Sequence, residues 1–195
     1  MRKSISIILV LTIAACLFNI NVQGNAQSII NPELCRSYIS VDYETGDVLY
    51  SYNADKRIYP ASTTKLMTAL VAVEHCSLDK VFTTSLNATR YLEEGSTELE
   101  LKENETMDLY SLLHALLIRS YNDVALVIAE NVAGTEEAFI EMMNKKALEL
   151  GASNTHFVTP HGLHDDAHYT TARDMALIAK AAFSNFNIST ICRKK

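Results

Sequence analysis

Residues 66–73 read Leu-Met-Thr-Ala-Leu-Val-Ala-Val, with Thr68 as the single polar position. A helix that is apolar on nearly every side belongs in the middle of a domain. The pattern predicts such a helix, opening in the stretch Pro60-Ala61-Ser62-Thr63-Thr64-Lys65, with Ser62 in its first turn, and stopping near His75. Upstream, Tyr38-Ile39-Ser40-Val41-Asp42 and Asp47-Val48-Leu49-Tyr50-Ser51 alternate as strands do, and Glu44-Thr45-Gly46 between them has the residues of a tight turn. An N-terminal hairpin is therefore expected, followed by a polar loop over residues 53–59. Val81-Phe82-Thr83-Thr84 and Thr97-Glu98-Leu99-Glu100-Leu101 are short extended candidates, separated by Glu93-Glu94-Gly95-Ser96.

Beyond them the period changes to that of helices. Leu109, Leu112, Leu113, Leu116 and Leu117 mark one. Val124, Val127, Ile128 and Val132 mark a second, closed by Gly134, and Ile140, Met143, Ala147 and Leu150 a third, closed by Gly151. A fourth opens at Thr171-Ala172-Arg173-Asp174, where Thr171 caps and Asp174 reaches back, and runs to about Phe183. The order is hairpin, buried helix, small strands, helical cluster, which is an α/β arrangement of the α+β type. Two strands make a marginal sheet, and residues 184–195 offer no strong strand. The expectation is a fold incomplete at its C-terminus.

With 195 residues, 48% of them hydrophobic, the chain can build one domain with a proper core. Its first residues stand apart from that core. Met1-Arg2-Lys3 is a short positive region, residues 4–20 are dominated by Ile, Leu, Val and Ala, and Gly24-Asn25-Ala26 offers small residues where a signal peptidase cuts. Residues 1–26 are therefore expected to be a secretion signal and residues 27–195 the domain. The alternatives are lipidation of Cys16, because Ile13-Ala14-Ala15-Cys16 has the form of a lipoprotein box, and an uncleaved anchor. Cleavage near Ala26 takes the net charge from −6 to −8, since residues 1–26 hold Arg2 and Lys3 and no carboxylate. That balance argues against a nucleic-acid partner. Cys35, Cys76 and Cys192 then remain, an odd count without the spacing of a disulfide framework or a metal site.

Candidate chemistry begins at Ser62 and Lys65, three residues apart at the mouth of the buried helix. Apolar neighbours and the positive end of the helix dipole disfavour the ammonium, and a neutral amine can take a serine's proton. The plainer reading is an N-cap and a solvated charge. Ser120-Tyr121-Asn122-Asp123 stands at a corner between helices. Asn122 is a natural N-cap there and Ser120 ordinary loop polarity, but a corner can also aim a hydroxyl and a carboxamide into a cleft. His156, His161, His164, Asp165, Asp166 and His168 are the right residue types for zinc, but their spacing fits no common zinc signature. No metal and no cofactor is expected, and the cluster reads as a polar loop with a His161-Gly162 turn.

Four segments occur in one order: Pro60-Ala61-Ser62-Thr63-Thr64-Lys65, Ser120-Tyr121-Asn122-Asp123, Thr159-Pro160-His161-Gly162-Leu163 and Thr170-Thr171-Ala172-Arg173-Asp174. Together they closely resemble the low-molecular-mass penicillin-binding proteins, the serine D-alanyl-D-alanine carboxypeptidases, over about residues 37–183. The resemblance implies the fold shared with serine β-lactamases, an antiparallel sheet flanked by helices. It implies Ser62 as the acylated nucleophile, Lys65 as its general base, Ser120 as a proton relay to the leaving D-alanine, and Asn122 as a holder of the substrate backbone. The implied partners are peptidoglycan stem peptides ending in D-Ala-D-Ala and β-lactam antibiotics, outside the cytoplasmic membrane. Tyr121 stands where the family usually has glycine. The family also needs a Lys-Thr-Gly motif on a later strand, and the single Thr-Gly here is Thr45-Gly46. The expectation is therefore a truncated, nearly inactive and marginally stable form. The alternatives are a non-catalytic remnant that binds wall peptides and, matching the motif contexts less well, a β-lactamase.

Overall fold

The computed structural model describes residues 35–193 apart from 91, 93 and 94. The described residues fall in one compact unit, Asn31–Lys195. The expected signal segment and Cys16 lie outside the described residues.

The hairpin forms as the alternation predicts. Strand β1 (Tyr38–Val41) pairs antiparallel with β2 (Val48–Tyr52), Tyr38 opposite Tyr52, with an irregularity between Ser40 and Val41. The Asp42 carboxylate closes the turn by accepting the N–H groups of Glu44 and Thr45 at 3.0 and 2.8 Å. A second antiparallel pair joins β3 (Val81–Thr83) to β4 (Thr106–Asp108), with Phe82, fully buried, opposite Met107. Residues 97–101, expected to be extended, are not a strand. Two of their backbone donors go to a side chain, the N–H of Leu99 to Asp123 Oδ1 at 3.0 Å and that of Leu101 to Oδ2 at 3.2 Å. With two of its five N–H groups taken by one carboxylate, that edge of the segment is not free to form a regular ladder.

Helix α1 (Lys65–His75) is the centre of the molecule. It packs against all the other helices among the described residues: α2 (Leu109–Ile118), α3 (Asn122–Ala133), α4 (Glu136–Glu149), α5 (Ala172–Ser184) and α6 (Phe186–Cys192). Met67, Ala69, Leu70, Val71 and Ala72 are buried, and full burial of each larger side chain stabilises by about 1.5–3 kcal/mol. Asp108 caps α2 by accepting the Ser111 N–H at 2.7 Å, and Leu109, Leu112, Leu113 and Leu116 face the core. Helix α3 is buried without a break from Asn122 to Ala129, so it too is interior rather than amphipathic.

Two helical details differ from expectation. Thr171 caps α5 through the Asp174 N–H at 3.1 Å, but the Asp174 carboxylate does not reach back. It accepts from the Asn154 N–H at 2.7 Å and the Thr155 hydroxyl at 2.8 Å, tying the 154–155 segment to the helix. Helix α6 has no signature in the sequence, because seven residues are too few to show a period. Asn185 caps it, and Ile188 and Ile191 anchor it in the core. Helix α5 packs on both β1 and α1 and so links the hairpin to the central helix. Cys35, Cys76 and Cys192 are free thiols. No helix among the described residues is long and apolar enough to cross a membrane.

Candidate active site

Ser62 does not lie in the α-helix itself. Residues Ala61–Thr64 form a 3-10 turn, and α1 begins at Lys65. The tighter turn suits the pair, since side chains three residues apart eclipse one another in 3-10 geometry. Ser62 is exposed while Lys65 is only 2% exposed, so an accessible hydroxyl sits over a buried amine. Lys65 Nζ lies 3.3 Å from Ser62 Oγ, 2.6 Å from Asn122 Oδ1 and 2.9 Å from the His161 carbonyl oxygen. Burial lowers the Lys65 pKa to about 8.

Asn122 is the first residue of α3, and its side chain caps nothing; Tyr121 occupies the cap position. The carboxamide, 5% exposed as a residue, instead bridges Lys65 and Ser96, donating from Nδ2 to Ser96 Oγ at 2.9 Å. The Asn122 N–H donates to the Thr97 carbonyl at 2.8 Å, and the neighbouring Asp123 holds Leu99 and Leu101. The 96–101 segment is thus fastened to the start of α3, beside Lys65. Ser120 sits just before, in a left-handed backbone conformation with φ of 61° that a serine adopts at a cost. No hydrogen bond among the described residues joins its hydroxyl to Ser62, Lys65 or Asn122. The structure therefore brings Ser62, Lys65 and Asn122 into one network and leaves Ser120 at its edge.

The third wall is the loop after Phe157. Gly162 has φ of +88°, and a Cβ there would stand 2.0 Å from the Ala61 carbonyl oxygen and 2.8 Å from Thr64 Oγ1. Only glycine fits so close an approach. The Thr68 hydroxyl donates to the Pro160 carbonyl at 2.6 Å, and Lys65 to that of His161, so the loop is pinned to the first turns of α1. Burial lowers the His161 pKa to about 3, the Lys65 ammonium adding to the effect, and lowers that of His168 to about 4. Both imidazoles are neutral at pH 7. The buried histidines of the loop bond to protein groups: His161 Nδ1 accepts the Leu163 N–H at 3.1 Å, and His168 bonds Thr64 and Val158; exposed His164 only approaches Asp166, at 3.6 Å. Among the described residues no group of three or more His, Cys, Asp or Glu could hold a metal ion.

Sequence reasoning missed Ser96 and the His161 carbonyl. A main-chain oxygen carries no residue signal, and a serine in a polar stretch shows nothing of its partner. The arrangement can activate a hydroxyl: a buried amine within hydrogen-bond reach, oriented by a carboxamide and a carbonyl, at an exposed serine.

A family model described as D-alanyl-D-alanine carboxypeptidase matches residues 26–194. The chain is 40% identical over 149 residues to a protein of that name from Bacillus subtilis, covering 74% of this chain and 38% of the relative. It is 38% identical over 154 residues to another from Escherichia coli, covering 75% and 38%. The crystal structure of a D-alanyl-D-alanine carboxypeptidase from Francisella tularensis superimposes with a TM-score of 0.76 at 34% identity, over 92% of this chain and 46% of that one. The chain spans less than half the length of each of these relatives. Its helices and antiparallel strands follow the DD-peptidase fold, and the chain belongs to the D-alanyl-D-alanine carboxypeptidase family.

Proposed function

We propose that the whole protein is a serine-type D-alanyl-D-alanine carboxypeptidase acting on peptidoglycan stem peptides. Ser62 is the nucleophile: Lys65, neutral, takes its proton as Oγ attacks the penultimate D-alanine carbonyl. Ser120 delivers a proton to the leaving D-alanine amine, Asn122 orients the substrate backbone, and water hydrolyses the ester left on Ser62. β-Lactams open on the same oxygen and remain attached. No cofactor enters this scheme. The observation that carries the reading is the Lys65 amine, buried and lowered to a pKa of about 8, at 3.3 Å from an exposed serine hydroxyl.

The place of action is the cell envelope, reached through the signal in residues 1–26 or held there by a lipid on Cys16. No Lys-Thr-Gly occurs in residues 1–195, so the grip on the substrate's terminal carboxylate is assigned to no residue here. A chain limited to these residues would on that ground be of low activity.

The test is to incubate the protein, expressed from its complete reading frame, with a penicillin and with an acylated peptide ending in D-Ala-D-Ala. The expected result is one penicillin per chain, mapped by mass spectrometry to the peptide containing Ser62, together with release of D-alanine. Ser62→Ala is expected to abolish both. Full labelling of that variant would place the nucleophile elsewhere. Peptide binding without turnover would leave a wall-peptide-binding protein, and fast penicillin hydrolysis would indicate a β-lactamase.

A further inference from the structure

His168 is 1% exposed and stands outside the group of side chains given roles above. Its Nδ1 accepts the Val158 N–H at 3.1 Å. The ring is neutral, so the proton resides on Nε2, which donates to Thr64 Oγ1 at 2.8 Å. The Phe157 ring meets the imidazole edge-on at 5.6 Å between centroids and fixes its plane. Two residues on, Thr170 pairs with Ile58 through both backbone bonds, at 2.8 and 2.9 Å. The segment from Ile58 to Thr64, with Ser62 inside it, is therefore held at both ends by Thr170 and His168. It needs holding: Ala61, immediately before the serine, has φ of 49°, and such backbone persists only where the surroundings over-determine it.

We infer that His168 is a positioning residue for acylation: its bond to Thr64 fixes the 3-10 turn that sets Ser62 Oγ over the Lys65 amine. This rests on the reading of Ser62 as the nucleophile. Histidine suits the place because neutral imidazole accepts on one side and donates on the other. Glutamine reaches the Nε2 position with a donor and keeps the Thr64 bond. Asparagine is shorter and keeps only an acceptor near Val158.

The experiment measures the penicillin acylation rate of the protein, expressed from its complete reading frame, alongside thermal melts. Loss of one hydrogen bond predicts a rate about 10-fold lower in His168→Asn and in Thr64→Val, with His168→Gln recovering most of it. The double variant His168→Asn/Thr64→Val is expected to be no slower than either single one, because both remove the same bond. A merely structural role would instead lower the melting temperature of all variants in proportion and leave the folded fraction acylating normally. Wild-type rates in folded Thr64→Val, or additive losses in the double variant, would overturn the inference. A parent protein that penicillin does not label at all would overturn the Ser62 reading itself.

Discussion

Lys65 Nζ is closer to Asn122 Oδ1, at 2.6 Å, than to Ser62 Oγ, at 3.3 Å. Its short contacts, to Asn122 and to the His161 carbonyl, are to oxygens that can only accept. The longer contact is to a hydroxyl that can also donate. A neutral amine therefore keeps both short bonds with its two hydrogens and turns its lone pair to the serine. Deprotonation costs this site no hydrogen bond, and burial already favours it.

The first prediction concerns pH. Acylation by penicillin is expected to rise with pH through an apparent pKa of about 8, as the Lys65 ammonium loses its proton. Lys65→Arg is expected to reduce the rate by at least about 100-fold at every accessible pH, since guanidinium stays protonated. Stopped-flow acylation from pH 6 to 10 checks both; a near-normal arginine variant would remove Lys65 from the role of base.

Asn122→Asp tests the same network from its other end. A carboxylate in contact with Lys65 favours the ammonium, so the amine's pKa is expected to move upward. The acylation profile should shift to higher pH, with a rate at pH 7 at least about 10-fold below wild type. An unshifted midpoint would show that the profile does not report Lys65.

Stability should fall in mild acid. The folded pKa values of His161 and His168, about 3 and about 4, lie below the ordinary 6.5, so the unfolded chain binds more protons as pH drops. The contribution is complete above about pH 6.5 and is lost progressively toward pH 3–4. Asp42, Asp55 and Asp108 are also held below their ordinary 3.8, but they add to the loss only at lower pH. Urea melts at pH 7 and pH 5 separate the two windows: a clear drop between them is expected, and equal midpoints would contradict neutral buried imidazoles.

Gly162→Ala is expected to be far worse than Gly134→Ala, although both glycines have positive φ, +88° and +86°. At Gly134 a Cβ meets nothing within 4 Å, so the cost is the backbone preference alone, about 1–2 kcal/mol. At Gly162 it meets the Ala61 carbonyl at 2.0 Å, adding overpacking of about 1–3 kcal/mol and pushing on the turn that carries Ser62. Melting temperatures and penicillin labelling of the two variants are the check. Equal losses in both would mean that the loop moves aside without effect.

By itself the sequence determined the pieces whose cause is local. The hairpin follows from alternation and a turn, α2 to α5 from their apolar period and caps, and the interior place of α1 from a run with one polar residue. The tertiary structure decided what depends on a distant partner. Residues 97–101 have the pattern of a strand, yet Asp123 takes two of their N–H groups; β4 is a strand through its antiparallel ladder with β3, Phe82 opposite Met107. Asn122 has the look of a cap, but its carboxamide is drawn to Lys65, 57 residues earlier. The His161 carbonyl, Ser96 and the His168–Thr64 bond carry no local signature at all. Periodicity reports which face of an element is apolar; it cannot report which polar atom of another element will arrive to satisfy a buried amine, because that is settled only when the helices pack.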